Sequence, residues 1–97
     1  MNNKYQKMLS LAIPYYEKGR AGDVEHVKWL CKTVPRHAPE ELDLDVLMGV
    51  VILHDVGYSK VPKDFNPYDL KIRELHSREG AEIAKTILKM LSDKSAV

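Results

Sequence analysis

Residues 44–55 read LDVLMGVVILHD, and this stretch decides the fold class. Apolar side chains fill nearly every position from Leu44 to Leu53, and a helix that is apolar on all sides is typical of the centre of a bundle. The run is rich in β-branched residues, so a buried strand is the competing interpretation. The remaining sequence has no period-two alternation and no hairpin signal to supply partner strands. We therefore predict a central, buried helix.

The segments before this run also have helical spacing. Apolar residues recur on one face of residues 5–16 and again on one face of residues 24–34. Pro14 lies inside the first pattern and predicts a break or kink there. The expected boundaries of the second and third helices are marked by capping and helix-breaking residues: Asp23, Pro35, Pro39 and Asp43.

The segments after the run predict a loop, a short helix and a final helix. Residues 56–66 contain Gly57, Pro62 and several polar residues, which favours a loop. Asn66 and Pro67 are typical of an N-cap and a first helical position, so we expect a short helix from there to about Glu74. A final helix is expected after Ser77, with one apolar stripe: Ala81, Ala84, Ile87, Leu88 and Leu91. The predicted fold is all-α, with four main helices and a short one.

Composition narrows the classes of protein and partner. A length of 97 residues favours one domain over residues 1–97. With 15 basic and 14 acidic residues the chain has no strong field, so we expect no nucleic-acid partner and no anionic membrane surface. The longest apolar run is too short to span a bilayer. A single cysteine, Cys31, permits no internal disulfide and fits a reducing cytoplasm.

The pair His54-Asp55 is the most suggestive chemical feature. It offers one nitrogen and one oxygen ligand directly after the most apolar segment of the chain. A carboxylate in such a place needs a metal, another cation or several hydrogen-bond donors. The alternative is that Asp55 caps the next turn or pairs with Lys60 or Arg73.

Three further histidines could contribute. His26 lies in the first turn of the second predicted helix, beside its apolar stripe, where a half-buried, hydrogen-bonded histidine is the plainer interpretation. His76 lies at a predicted helix junction and could be a capping or a solvated residue. His37, in a proline-rich segment, is expected at the surface.

Three segments resemble the HD superfamily of helical, metal-binding phosphohydrolases. Residues 50–60, VVILHDVGYSK, are similar to the family's apolar helix that ends in His-Asp-apolar-Gly. Residues 75–88, LHSREGAEIAKTIL, are similar to its His-x-x-x-Gly-Ala segment, and residues 22–30, GDVEHVKWL, to the segment with its first histidine. Together they cover most of residues 20–91 in the order of the family.

The resemblance implies an HD-domain-like helical bundle that holds a divalent metal ion, which could be Mn, Fe, Ni, Co, Zn or Mg. His26, His54 and Asp55 match three of the family's four ligands. His76 matches a histidine that binds a second metal in some members and faces the substrate phosphate in others. The implied reaction is hydrolysis of a nucleotide or related phosphate ester, in which Asp55 orients a metal-bound water. His76, Lys60 or Arg73 would neutralise phosphate charge.

One departure from the family pattern shapes the remaining expectations. The fourth ligand of the family is an aspartate on a later helix, and Asp93 is the only aspartate after His76. The resemblance therefore implies a partial HD-type domain of weak or no activity, whose uncovered central helix favours a homodimer. Two alternatives stay open: a non-catalytic HD-like binding or assembly module, and a helical bundle whose histidines are structural.

Overall fold

The structure is a computed structural model that describes residues 3–62, 64–66 and 68–95, with side chains as far as Ser92. It consists of four α-helices: α1 (Asn3–Lys18), α2 (Asp23–His37), α3 (Leu44–Leu53) and α4 (Leu70–Ser95). A 3₁₀ helix, Val56–Lys60, lies between α3 and α4. These ranges contain no strand, so the all-α prediction is confirmed and residues 44–53 are helical.

Helix α1 lies at the centre of the core. Its predicted apolar face is confirmed, because Tyr5, Met8, Ala12 and Tyr16 are all buried. This face contacts the other three α-helices and the 3₁₀ helix. The rest of this core cluster comes from all the other elements: Val27, Cys31, Met48, Val51, Ile52, Leu53, Val56, Ile83 and Ile87.

Two prolines do not end helices as the sequence predicts. Helix α1 continues through Pro14, and α2 continues through Pro35 to His37. Each proline lies within the last five residues of its helix, so few backbone hydrogen bonds depend on the turn that it weakens. Burial of Ala12 and Tyr16 on either side of Pro14 holds α1 against the core. The predicted break at Pro14 is therefore wrong.

The predicted N-caps of α2 and α3 have different outcomes. The Asp43 carboxylate accepts hydrogen bonds from the backbone N–H groups of Asp45 and Val46, as expected of the N-cap of α3. At the start of α2 the N-cap is instead Gly22, with a left-handed φ of 88°, and Asp23 is the first helical residue. The side chain of Asp23 is occupied by Arg20, which explains why it does not cap the helix.

The second half of the chain is more regular than predicted. Residues 56–60, expected in a loop, form the 3₁₀ helix, and the expected short helix and final helix are one helix, α4, that starts at Leu70 and runs through Ser77. Pro67 lies outside the described residues. Asn66 does not cap α4, because its side chain accepts a hydrogen bond from the backbone of Tyr68. Helix α4 begins where Asp69 accepts one from the backbone of Lys71, at 2.9 Å.

Helix α3 has one buried and one exposed face, although both are apolar. Met48 and Ile52 are fully buried, whereas Val46 and Val50 are 63% and 59% exposed. The predicted burial on all sides is therefore wrong, because the described residues cover only one face of α3. Within those residues, no helix has the length and apolar content needed to cross a membrane.

Helix α4 is rotated relative to the predicted stripe. Ile87 is buried as expected, but Ile83, which was not in the stripe, is buried beside it. Ala81 and Leu88 are exposed. They lie on the side of α4 that faces the outer surface of α3, where the two helices are separated by an open groove.

Candidate functional site

A close backbone approach brings the end of α3 to the middle of α4. Gly57 in the 3₁₀ helix packs directly on α4, and a Cβ at this position would overlap the carbonyl oxygen of His76 and lie 2.8 Å from the backbone nitrogen of Gly80. Since only glycine permits this contact, Gly57 places the preceding pair His54-Asp55 beside His76.

The carboxylate of Asp55 is the centre of the resulting cluster. The His54 Nε2 atom lies 3.0 Å from Oδ2, and the His76 Nε2 atom lies 3.4 Å from Oδ1. Arg20, from the segment between α1 and α2, donates a hydrogen bond from Nη2 to Oδ2 at 3.2 Å. Only 16% of the Asp55 side chain is exposed. The largely buried carboxylate of Asp55 is thus surrounded by three side chains that lie far from one another in the sequence.

The pKa values in this cluster are set by mutual contact. Burial disfavours the charged form of Asp55, but the hydrogen bond from His54 and the charges of His54, Arg20 and His76 outweigh it and hold its pKa below the ordinary value. The hydrogen bond with Asp55 raises the pKa of His54 despite the desolvation of its ring. Contact between the two groups therefore favours the charged form of each.

The second ring nitrogen of His54 fixes its tautomer. Nδ1 lies 2.8 Å from the backbone oxygen of Val51, which can only accept, so Nδ1 carries a proton. In the neutral ring Nε2 then presents a lone pair to the Asp55 carboxylate, which is also an acceptor. A backbone carbonyl that holds Nδ1 in this way is the usual outer partner of a metal-binding histidine.

His76 also directs Nε2 into the cluster. This nitrogen is buried and has no hydrogen-bond partner among the described residues, although Oδ1 of Asp55 is close by. The ring is held by stacking on Tyr58, with 3.9 Å between the ring centroids. A buried ring nitrogen without a partner is costly unless something binds it.

Arg20 belongs to the site, and sequence reasoning missed it. Its Nε donates to Asp23 at 3.0 Å, and its guanidinium carbon lies 3.8 Å from the centre of the Tyr58 ring. The alternative partners considered for Asp55 were Lys60 and Arg73, whereas the structure places Arg20 there. The sequence spacing of three residues pairs Arg20 with Asp23, but it gives no signal for the contact with Asp55.

Tyr16 supports the cluster from the core side. Its hydroxyl donates to the backbone oxygen of Ile52 at 2.8 Å and accepts from the backbone N–H of Asp55 at 3.4 Å. Burial raises its pKa far above the ordinary value. The sequence pattern predicted Tyr16 only as a core residue, so its polar role in fixing the end of α3 was also missed.

The other predicted site residues lie apart from Asp55 in the contacts that the structure describes. His26 is exposed, and its ring stacks on Trp29 with centroids 6.3 Å apart. Lys60 and Arg73 are exposed, and His37 is at the surface as expected. Across residues 3–62, 64–66 and 68–92, no three His, Cys, Asp or Glu side chains are already placed around one metal position. His54 and His76 approach different oxygens of Asp55, so a shared ion requires a small rearrangement.

A pocket of about 320 Å³ opens beside the cluster. Arg20 and Tyr58 line it on the cluster side, and Phe65 lines it on the other. The rings of Tyr58 and Phe65 are 5.6 Å apart. Within the cluster Arg20 is already bound by Asp23 and Asp55, and the Tyr58 ring lies between Arg20 and His76, so Phe65 is the aromatic ring of this pocket with a face not covered by these groups.

No protein-family model, no curated protein and no solved structure matches this chain. The resemblance to the HD superfamily therefore rests on the three quoted segments. Membership of that superfamily stays a prediction, and the site is interpreted from its own geometry.

Proposed function

We propose that the cluster around Asp55 binds a divalent metal ion and belongs to an HD-type phosphohydrolase. The tautomer of His54 carries this proposal. With Nδ1 held by the Val51 carbonyl, Nε2 is directed at a carboxylate oxygen 3.0 Å away. Two acceptors at this distance need a cation between them, either a proton or a metal ion.

The donor set fits a divalent ion. His54 Nε2, the Asp55 carboxylate and His76 Nε2 would hold it. Two imidazole nitrogens and a carboxylate are donor types that divalent transition-metal ions prefer. The 3.0 Å and 3.4 Å contacts run to different oxygens of Asp55, so these side chains would have to rearrange to share one ion. The unpartnered Nε2 of His76 would gain the contact that it lacks. A bound ion would acidify a coordinated water and polarise a phosphoryl oxygen.

The residues beside the cluster suit a nucleotide or a related phosphate ester as substrate. When a cation neutralises Asp55, the fork of Arg20 is free to bind phosphate oxygens in pairs. Phe65, in the adjacent pocket, offers a ring face for a base, whereas both faces of Tyr58 are covered by His76 and Arg20. Lys60 and Arg73, predicted as phosphate-neutralising residues, are exposed and could do so only by reaching in from the surface.

The expected activity is weak. Asp55 is the only carboxylate that contacts His54 and His76 among the described residues, and Arg20 competes with any metal for it. Arg20 also binds the carboxylate of Asp23, so Asp23 does not add a second carboxylate to the cluster. The side chain of Asp93 lies outside the described residues. A loosely held ion positions water poorly, which reduces the rate by orders of magnitude.

One observation favours a second function, a non-catalytic binding or assembly module. The Arg20 guanidinium lies on Asp55 Oδ2 at 3.2 Å, so a cation of the chain itself occupies a position that a metal would need. In that case Asp55 and Arg20 are a structural pair that joins α1 to α3 across the turn before α2.

We also propose that the protein is located in the cytoplasm. The chain has a single cysteine, Cys31, which is buried, and burial raises the pKa of its thiol. A lone buried thiol that stays protonated is suited to a reducing compartment.

Titration with Mn²⁺ in a calorimeter separates the two functions. We expect one ion per chain for the unaltered protein, and affinity at least ~10-fold weaker for His54→Ala and His76→Ala, since each removes a ligand. Arg20→Ala should bind Mn²⁺ more tightly, because the competing cation is gone. His37→Ala, an exposed histidine outside the cluster, is the matched control and should bind like the unaltered protein.

The module function predicts the opposite pattern. Neither the unaltered protein nor Arg20→Ala would bind Mn²⁺, and Arg20→Ala would lose stability because it removes one of the cationic partners of the largely buried Asp55 carboxylate. A parallel titration of His26→Ala decides whether His26 leaves Trp29 to join the ion. Release of phosphate from nucleoside monophosphates, with and without Mn²⁺, then tests the reaction itself.

A further inference from the structure

Tyr58 lies between two members of the cluster around Asp55. The guanidinium carbon of Arg20 lies 3.8 Å from the centre of the Tyr58 ring, and the centroid of the His76 ring lies 3.9 Å from the same point. Two flat groups this close to one ring centre cannot share a face, so Arg20 and His76 cover opposite faces. Both also contact the Asp55 carboxylate, each through a different oxygen. The Tyr58 ring is therefore a common support for two groups of the cluster.

A close backbone approach brings the turn before α2 to this ring. A Cβ at Gly19 would lie 3.3 Å from the Cβ of Tyr58 and 3.4 Å from its carbonyl carbon. Arg20 is the next residue, so the contact at Gly19 places its side chain on the Tyr58 ring. The backbone N–H of Tyr58 donates to the backbone oxygen of Asp55 at 3.2 Å, which keeps the ring beside that residue. The position of Arg20 thus follows from the packing of the backbone.

Arg20 is held by three contacts, and Asp55 provides one of them. Asp23 accepts a hydrogen bond from Nε at 3.0 Å, Asp55 accepts one from Nη2 at 3.2 Å, and Tyr58 covers a flat face of the guanidinium. A cation bound at Asp55 would replace only the second contact. Asp23 would still fix one edge of the guanidinium and Tyr58 its plane. A group held in this way loses little side-chain freedom when it binds a phosphate.

We propose that Tyr58 is a positioning residue of the site, which keeps Arg20 beside Asp55 when a bound cation replaces the bond between them. This inference rests on the proposed function, in which Arg20 binds the phosphate of the substrate. Tyr58 acts through Arg20 and His76, which cover both faces of its ring. The described hydrogen bonds of Tyr58 are made by its backbone, so the ring and not the hydroxyl carries this role.

Proton NMR of the metal-free protein tests where Arg20 is held. Asp55→Asn removes the carboxylate charge, as a bound cation would neutralise it. Side-chain protons of Arg20 that lie over the Tyr58 ring are shifted upfield by its ring current. We expect this shift to persist in Asp55→Asn and in Tyr58→Phe and to disappear in Tyr58→Leu. Its loss in Asp55→Asn would overturn the proposal, because Asp55 and not Tyr58 would then hold Arg20.

Calorimetric titration with inorganic phosphate at saturating Mn²⁺ tests the consequence for binding. We expect Tyr58→Leu to weaken phosphate binding ~10-fold, whereas Tyr58→Phe retains the ring face and should bind within ~2-fold of the unaltered protein. Tyr68→Leu is the matched control, since it makes the same change at a tyrosine that is 87% exposed. Equal effects of the two leucine variants would contradict the proposal. Circular dichroism checks that each variant is folded.

A double-mutant cycle tests whether Tyr58 acts through Arg20. In the Arg20→Ala background, Tyr58→Leu should weaken phosphate binding no further, because the group that it positions is absent. Losses that simply add would show that Tyr58 has only a general structural role. A chain that binds no Mn²⁺ would reject the proposed function. The NMR comparison needs no metal, so it decides the role of Tyr58 separately.

Discussion

Helix α4 packs closely on the 3₁₀ helix but is separated from α3 by a groove. At the 3₁₀ helix, Gly57 lies so close to His76 and Gly80 that no side chain fits between the backbones. A turn further along, α4 faces α3 across an open groove where Gly49 has empty space around it. The same residue type therefore lies in a closed contact in one place and beside open space in the other. Sequence alone does not distinguish them.

The largest expected effect on stability is at Gly57, where the backbones are already in contact. We expect Gly57→Ala to destabilise the fold by about 3 kcal/mol or more, because its Cβ would collide with the backbone of α4 rather than with a movable side chain. Urea unfolding followed by circular dichroism measures this. Gly80→Ala is the control, since its Cβ would lie at an ordinary 3.5 Å from Gly57. Equal effects of the two substitutions would contradict the closed contact.

A smaller effect is expected at Tyr16, which fixes the end of α3 on the closed side. Tyr16→Phe removes hydrogen bonds to the backbone of Ile52 and Asp55 and should cost about 1–2 kcal/mol at neutral pH. The pKa of Tyr16 is raised by burial, whereas in the unfolded chain it is about 10. The contribution of Tyr16 is thus fully present below pH ~10 and declines as the pH rises further.

Unfolding of both proteins from pH 7 to 11 tests the sign of this dependence. The difference between the unaltered protein and Tyr16→Phe should narrow above pH ~10, because the unfolded chain of the unaltered protein then gains an ionised phenol. A difference that widens with pH would show that Tyr16 is not held as a neutral phenol.

The smallest effect, of opposite sign, is expected at Gly49 on the open side. Gly49→Ala should stabilise α3 by up to ~1 kcal/mol, because alanine is the better helix former and its Cβ meets nothing within 4 Å. The same urea measurement as for Gly57→Ala gives a direct comparison of the two glycines. Destabilisation would mean that the space at Gly49 is already filled.

The parts of the fold that sequence predicts are those with a clear helical period. The face of α1 that includes Met8 and Ala12 is buried as its spacing indicates. In α3 the spacing of apolar residues does not identify the buried face, because Val46 and Val50 are apolar like Met48 and Ile52. The sequence alone therefore cannot distinguish the buried face from the exposed one. The 3₁₀ helix was mistaken for a loop because Gly57 serves a tertiary contact that lies outside any local pattern.

The candidate site also has a part that the sequence predicts and a part that it does not. The pair His54-Asp55 and the later His76 were predicted as one group, and the structure brings all three together. Arg20 was missed because it is 35 residues from Asp55, and no periodicity links positions so far apart. His26 was placed with them through the family resemblance, and its described contact is with Trp29.

The stacking of Trp29 on His26 has an optical consequence. Trp29 is the single tryptophan of the chain and is 58% exposed, so its indole is already in contact with water in the folded protein. Its emission should shift little when the core melts. A cation bound by His26 would lie against the indole and quench it, whereas one held by His54, Asp55 and His76 would not touch it. Tryptophan fluorescence of this protein should therefore respond to changes at His26 and should respond little to unfolding of the core.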